Sequence, residues 1–231
     1  MDGDLHAQGR APSADRTAHF PTPSARRADL MVHVVALAAA LIGALVLVHL
    51  SLGNGDTGQV VAISIYAAAL VIMLSFSAAY NFSHPPYQAP LRRLDHAGIF
   101  LMIAGTYTPF TTQVLSGGWA WGMTVAIWSL AGLGILAKLL LPGLDRRVSV
   151  GLYIALSSIV LAAIGPVTVA MGTMPLLLLV GGGVVYIAGT AFYLNKRLRY
   201  GRAIWHGHVA TAAALHWTAI LLGVVWAGSM A

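Results

Sequence analysis

Residues 59–82 read QVVAISIYAAALVIMLSFSAAYNF and contain no charged side chain. A helix needs roughly 20 predominantly apolar residues to cross the hydrocarbon core of a bilayer, so this segment is long enough to span a membrane. A transmembrane β-strand would instead show about 10 residues of alternating polarity, and this run does not alternate. The segment therefore predicts a membrane-spanning helix.

Similar apolar segments recur on both sides of this one. The chain is 58 % hydrophobic and 9 % charged, whereas soluble globular domains carry about 25 % charged residues. We therefore predict an all-α, polytopic bundle of seven transmembrane helices over residues 31–231, because only helices and closed barrels satisfy the backbone inside lipid. The predicted spans are 31–53, 59–82, 94–115, 119–141, 149–171, 175–195 and 203–228.

Residues 1–30 mix Pro, Ser, Ala, His and Arg without periodicity and lack the apolar stretch of a signal peptide. We predict that they form a disordered cytoplasmic tail. The chain contains no cysteine, which excludes disulfides, thiolate metal ligands and thiol nucleophiles.

The basic residues lie in the N-terminal segment and in every second loop after it, so they all fall on one side of the predicted bundle. The loops at 51–58, 116–118 and 172–173 contain none of them. Because Lys and Arg concentrate in cytoplasmic loops, this pattern predicts a cytoplasmic N-terminus and an outside C-terminus in the bacterial cell (inner) membrane, and it gives no indication of nucleic-acid binding. The basic residues are Arg10, Arg16, Arg26, Arg27, Arg92, Arg93, Lys138, Arg146, Arg147, Lys196, Arg197, Arg199 and Arg202.

Ionisable and polar residues inside a membrane are costly and usually functional. They gather at the ends of three predicted spans, which all face the cytoplasm in this topology, so we predict one polar pocket at the cytoplasmic membrane edge. Residues four apart share a helix face, so each pair on spans two and seven can point the same way. The residues are Ser77 and Asn81 ending span two, Asp95 opening span three, and Arg202 and His206 opening span seven.

Further polar residues extend these groups. Tyr80 precedes Asn81, and Thr106 and Tyr107 continue inward along span three, so we include them in the predicted pocket. Asp95 has an alternative role as a cap of its helix. Lone histidines in apolar helices are usually hydrogen-bonded packing residues, and we assign His33, His49 and His216 to that class.

Three motifs carry a family resemblance. They are Ser77-Ala-Ala-Tyr80-Asn81, then Arg93-Leu-Asp95-His96-Ala-Gly98-Ile, then Ala104-Gly-Thr106-Tyr107-Thr-Pro109-Phe110. This series resembles the bacterial hemolysin III family, which is related to the progestin and adipoQ receptors and is adiponectin-receptor-like. The resemblance implies seven helices and a zinc ion held by a histidine ending span two and by two histidines, four apart, opening span seven. It also implies a nearby serine and aspartate, and hydrolysis of a lipid amide by zinc-bound water.

This sequence matches that pattern only in part. Ser77, Asp95 and His206 match the serine, the aspartate and the last histidine, but Asn81 and Arg202 stand at the other two ligand positions. An amide oxygen is a poor zinc ligand and a guanidinium stays protonated, so the three-histidine site is lost if Arg202 faces the pocket.

Two hypotheses follow for the pocket. In the first, no metal binds, and Arg202 pairs with Asp95 while Asn81 and Ser77 complete the hydrogen bonds. In the second, Asp95 and His206 hold a zinc ion with help from another histidine. The candidates for that histidine are His84, His96 and His208.

The same residues leave two functions open. The first is a lipid amide hydrolase with Ser77, Asp95 and His206 as catalytic residues. The second is a non-enzymatic sensor of a membrane lipid or small lipid-like ligand, or a channel. The polar groups cluster at one end of the predicted bundle, which favours a closed pocket over a conducting pore. The sequence does not determine the substrate or the oligomeric state.

Overall fold

The structure is a computed structural model that describes residues 19–141, 143, 145–195 and 197–229. Within these ranges the regular secondary structure is entirely helical. The predicted all-α class is therefore confirmed.

The first half of the bundle consists of four long helices. They are α1 (Pro23–Asn54), α2 (Thr57–Phe82), α3 (Pro85–Gln113) and α4 (Gly117–Leu140). Side-chain caps fix the starts of α1 and α2: Thr22 Oγ1 accepts the Ala25 N–H at 3.1 Å, and Asp56 Oδ1 accepts the Gln59 N–H at 2.7 Å. Such caps satisfy backbone donors that have no partner in the first turn.

The second half is less regular. Helix α5 (Arg146–Ser157) continues through a 3-10 segment, Ser158–Ala163, into α6 (Ile164–Ala170), and α7 (Thr173–Leu194) follows. Helix α8 (Gly201–Ile220) continues through a π-helical turn, Leu221–Val225, into α9 (Trp226–Ser229).

Tyr107 of α3 supports the 3-10 segment between α5 and α6. Its hydroxyl donates to the Ser157 carbonyl at 2.6 Å and accepts the Val160 N–H at 3.2 Å. The side chain therefore satisfies backbone groups that the tighter 3-10 geometry leaves without α-helical partners.

Six of the helical segments in the described part of the chain are long and apolar enough to cross a membrane. They are Pro23–Gly53, Thr57–Phe82, Gly117–Leu140, Arg146–Ala170, Thr173–Leu194 and Gly201–Val225. Helix α3 is long enough but not apolar enough, because Arg92, Arg93 and Asp95 near its start are followed by a second half rich in threonine. Six helical segments of the described residues thus qualify as candidate membrane spans by length and composition, and the predicted count of seven is not confirmed.

The start of α1 differs from the sequence-based boundary. The tail was predicted to extend to residue 30, but α1 begins at Pro23, where Thr22 caps the helix and proline occupies the first turn. A helix can start before its apolar stretch because its hydrogen bonds are made by the backbone. The predicted tail at residues 1–18 lies outside the described residues.

Helices α1, α2, α3 and α8 bring their polar ends together. Helix α2 packs against both α1 and α3, and α8 packs against α1. Contacts between α1 and the end of α2, and between the end of α2 and the start of α8, place these termini at one end of the bundle. We call it the basic end, because the described Arg and Lys residues belong to the helix termini and loops found there.

Candidate functional site

Helix α1 contributes two ionisable residues to the basic end, Asp29 and His33. They are four positions apart and share one face of the helix. Asp29 is 0 % exposed and His33 is 5 % exposed. The His33 Nδ1 atom lies 2.9 Å from the Asp29 carbonyl oxygen and 3.6 Å from Asp29 Oδ2. Donation of the Nδ1 proton to that carbonyl leaves Nε2 of His33 as an acceptor.

Helix α8 places His206 against this pair. The Nδ1 atom of His206 lies 2.6 Å from Asp29 Oδ1, a short bond of the kind that charged groups form. The rings of His33 and His206 are 4.3 Å apart, centroid to centroid. Asp29 Oδ2 is buried and has no hydrogen-bond partner among the described residues.

Helices α2 and α3 complete the cluster. Ser77 Oγ lies 3.3 Å from His33 Nε2, so its hydroxyl can donate to that nitrogen. The Asp95 carboxyl group interacts with the Ser77 side chain and with the positive charges of Arg202 and a protonated His206. Four helices thus contribute to one buried polar cluster, which we define as Asp29, His33, Ser77, Asp95 and His206.

Arg202 lies beside this cluster and is held by Asn81. Its Nη1 donates to Asn81 Oδ1 at 3.1 Å, and Asn81 Nδ2 donates to the Ser77 carbonyl at 2.9 Å. The guanidinium also lies over the Phe20 ring, 5.6 Å from its centroid. Within the described residues the ion pairs closer than 4.0 Å are those of Asp29 with two histidines. Arg202 and Asp95 are therefore not among the ion pairs of the described residues within 4.0 Å, although the Arg202 charge acts on the Asp95 carboxyl.

Residues before α1 cover the outer side of Asn81. His19 Nε2 lies 3.0 Å from Asn81 Oδ1, and the His19 ring meets the Tyr80 ring edge-on at 5.1 Å. Burial, the largest cause, lowers the pKa of His19 below its usual value, and the positive charge of Arg202 acts in the same direction. We therefore expect a neutral His19 that donates its Nε2 proton to Asn81 near pH 7.

The structure brings most, but not all, of the sequence-derived site residues together. Ser77, Asn81, Asp95, Arg202 and His206 meet at the basic end, with Tyr80 beside Asn81. The other two residues lie elsewhere, because the Thr106 hydroxyl bonds the Met102 carbonyl of its own helix and Tyr107 supports the break after α5. Thr106 and Tyr107 are thus not members of the cluster.

One group of side chains in the described residues has the composition and spacing to hold a metal ion. It consists of Asp29, His33 and His206, each offering one ligand atom, and these atoms lie within 4.8 Å of one another. The sequence-based ligand pair was Asp95 and His206. His206 belongs to the group, whereas Asp95 does not.

The three histidines considered as an additional ligand are engaged elsewhere or exposed. His84 is exposed and occupies the position before α3, where its side chain makes no capping hydrogen bond. His96 Nε2 lies 3.4 Å from the Tyr193 hydroxyl, and His208 Nδ1 lies 2.8 Å from the Ile204 carbonyl of its own helix. None of them joins His206 in the metal-binding group.

Sequence reasoning missed Asp29 and underrated His33. Asp29 fell inside the predicted tail, and His33 was assigned to packing. A signal was present, because an acidic residue and a histidine four positions apart at the start of an apolar helix share one face. The tail boundary at residue 30 separated the two residues.

Helices that can cross a membrane and that enclose ionisable side chains define an integral membrane protein with an internal polar cluster. The model of the family described as haemolysin-III related matches residues 27–217, a range that contains the whole cluster. The chain belongs to this family, as the sequence motifs indicated.

Curated relatives agree with this assignment. Hemolysin-3 of Bacillus cereus is 29 % identical over 199 residues, covering 86 % of this chain and 91 % of that protein. The Hemolysin-3 homolog of Bacillus subtilis is 27 % identical over 195 residues, or 84 % and 92 % of the two chains. The human monocyte to macrophage differentiation factor is 27 % identical over 219 residues, or 91 % and 88 %.

Proposed function

We propose that this protein is a hydrolase that cleaves an acyl linkage, foremost an amide, in a membrane lipid. The observation that carries the proposal is the 2.6 Å contact between Asp29 and His206, buried inside a membrane bundle beside Ser77 and Asp95. Ionisable groups within membrane helices are expensive and are by default candidates for function. Packing alone would not require this arrangement.

The contact between Asp29 and His206 prepares the histidine to act as a base. Asp29 Oδ1 accepts the Nδ1 proton of His206, which leaves the Nε2 lone pair of that ring free to take a proton from water. The carboxylate then stabilises the imidazolium that forms. Ser77 and Asp95 lie beside this base and are positioned to bind the polar part of the lipid.

The three-histidine zinc site of the family pattern does not fit this chain. Asn81 and Arg202 stand at two of its three positions and are hydrogen-bonded to each other at 3.1 Å. A guanidinium presents only N–H donors, so it repels a cation instead of binding it. The proton transfers proposed above therefore use only the side chains of this chain.

The site would act from the cytoplasmic side of the bacterial inner membrane. The described basic residues lie at the end of the bundle that carries the cluster, and membrane proteins retain such residues in the cytoplasm. This orientation supports an N-terminus inside the cell and a lipid substrate drawn from the inner leaflet. With seven spans, the C-terminus would lie outside.

Single-cysteine labelling tests whether α3 is the seventh span, because the native chain has no cysteine. Arg93→Cys and Ser116→Cys place a thiol at exposed positions near the two ends of α3. In intact cells we expect an impermeant maleimide to label Ser116→Cys and to spare Arg93→Cys until the membrane is opened. Equal labelling of both variants in intact cells would contradict a crossing α3.

Hydrolysis is tested with the purified protein in nanodiscs that contain one lipid amide or lipid ester at a time. We expect fatty acid release by the wild type and a loss of about 100-fold or more in His206→Ala and His206→Gln, since a general base typically contributes that much. Ser77→Ala should also be impaired. The matched control is His49→Ala, an exposed histidine near the other end of α1, which should match the wild type. Full activity in both His206 variants would refute the proposed role.

A non-enzymatic lipid sensor is the second candidate. It is favoured by the link from Arg202 through Asn81 to His19, which ties the segment before α1 to the starts and ends of membrane helices. A ligand entering between them would move that segment. Lipid that copurifies with the protein but is never cleaved would support this alternative.

A further inference from the structure

The buried carboxylate of Asp29 is only partly compensated by the residues around it. Its Oδ1 contacts His206 at 2.6 Å, but Oδ2 has no hydrogen-bond partner among the described residues. No Lys or Arg lies within ion-pair distance of Asp29 in the described residues. A fully buried carboxylate oxygen without a partner is costly, and a bound cation is one of the few groups that compensate for it.

The donor atoms around this carboxylate suit a transition metal. Asp29, His33 and His206 provide one carboxylate oxygen and two imidazole nitrogens, with ligand atoms within 4.8 Å of one another. Two histidines and a carboxylate, with a remaining position for water, form the ligand set of many catalytic zinc sites. The hard cations Mg²⁺ and Ca²⁺ prefer oxygen ligands and fit this set poorly.

From these observations we propose that Asp29, His33 and His206 bind a divalent transition-metal ion, with Zn²⁺ as the best-matched ion. Helix α1 supplies two of the ligands, whereas in the family pattern all three come from the ends of the second and seventh spans. His206 is the one ligand that the two arrangements share. The site has thus moved toward α1 in this chain.

The neighbouring residues agree with the shifted position. Arg202 is held by Asn81 at 3.1 Å and lies over the Phe20 ring, so its guanidinium is engaged by residues other than the three proposed ligands. Ser77 Oγ lies 3.3 Å from His33 Nε2 and would accept the Nε2 proton when Nδ1 of that ring binds the metal, as residues around a metal often orient its ligands. Asp29 is the one carboxylate in the first turns of α1, where the adjacent residues are apolar or basic.

Metal binding is a property separate from the proposed hydrolysis, and it can be measured without catalytic turnover. A metal ion in such a ligand set supplies activated water near neutral pH. Binding would replace the hydrogen bond between His206 and Asp29, so the metal-free and metal-bound forms of the cluster are distinct states of one site.

The test is zinc content and thermal stability of the full-length protein in detergent. The protein is stripped with chelator, dialysed against buffer with and without Zn²⁺, and analysed by elemental mass spectrometry. We expect about one zinc ion per wild-type chain and less than about 0.1 in Asp29→Asn and His33→Gln, because loss of one of three ligands removes most affinity. Zinc should raise the melting temperature of the wild type alone, since a ligand stabilises the state that binds it.

Control variants make each outcome decisive. His49→Ala removes an exposed histidine of the same helix and should retain wild-type zinc. Arg202→Gln should also retain zinc, because Arg202 is not a ligand. Substoichiometric zinc in the folded wild type, or full zinc in Asp29→Asn, would overturn the proposal. If Asp29→Asn does not fold, His33→Gln decides alone. A folded protein that hydrolyses lipid but takes up no zinc on dialysis would overturn only the metal site, and one that binds zinc without hydrolysing any lipid would overturn only the proposed function.

Discussion

Asp29→Asn should abolish lipid hydrolysis while the protein remains folded. The asparagine has nearly the same shape, but it carries no charge to stabilise an imidazolium and its amide can turn a donor toward His206. The histidine would then adopt the wrong tautomer, a change that costs on the order of 10⁴-fold in an Asp-His-Ser triad. Fatty acid release in nanodiscs, measured beside the wild type, gives the ratio.

Stability should respond differently from activity. In Asp29→Asn the desolvation cost of the carboxylate is removed and His206 can become neutral, so no unpaired charge is left and the melting temperature in chelator should stay close to that of the wild type. The matched control is Asp56→Asn, which changes the residue that caps α2, where asparagine caps as well as aspartate does. Equal loss of activity in both variants would show that the effect is not specific to Asp29.

Gly105→Ala should be among the most destabilising single substitutions in the bundle. A Cβ atom at Gly105 would stand 2.5 Å from the Cβ of Ala69, a distance that real Cβ atoms do not reach. Neither atom can rotate away, so α2 and α3 would have to separate. We expect a loss of about 2–3 kcal/mol or more in unfolding free energy, at the upper end of overpacking effects. Denaturant unfolding in detergent micelles measures it.

Gly132→Ala is the matched control for this prediction. It lies in α4 with no atom within 4 Å of its would-be Cβ, and alanine is favoured over glycine in a helix by about 1 kcal/mol. We therefore expect Gly132→Ala to be neutral or stabilising. A Gly105→Ala protein as stable as Gly132→Ala would mean that α2 and α3 do not pack as closely as the structure has them.

The sequence predicted the helices well where they are apolar and less well where they are polar. The run at 59–82 gave the end of α2 correctly, because α2 stops at Phe82. The start of α1 was misplaced, because Arg26, Arg27 and Asp29 lowered the hydropathy of turns that are nevertheless helical. Helix α3 is too polar to qualify as a span because charged residues near its start are followed by a threonine-rich second half. Hydropathy indicates whether a segment favours lipid or water, whereas backbone hydrogen bonds and caps determine where a helix begins.

Topology made most of the site predictable. The ends of α2 and the starts of α3 and α8 had to meet if basic residues mark one side, so Ser77, Asp95 and His206 could be grouped from sequence. The sequence does not give the rotation of each helix about its axis, which decides where a side chain points. For this reason it did not predict that Thr106 bonds its own helix or that Arg202 bonds Asn81. Asp29 was not predicted as a site residue, because a single carboxylate before an apolar run is also typical of a solvated tail.

Isotope labelling of the product tests the central claim, hydrolysis at this cluster, most directly. Wild-type protein and His206→Gln are incubated in nanodiscs with a lipid amide in ¹⁸O-enriched water, and released fatty acid is analysed by mass spectrometry. We expect fatty acid carrying one ¹⁸O atom from the wild type and very little fatty acid from the variant. Unlabelled fatty acid, or no release from any lipid class by folded wild-type protein, would contradict that claim and favour the sensor.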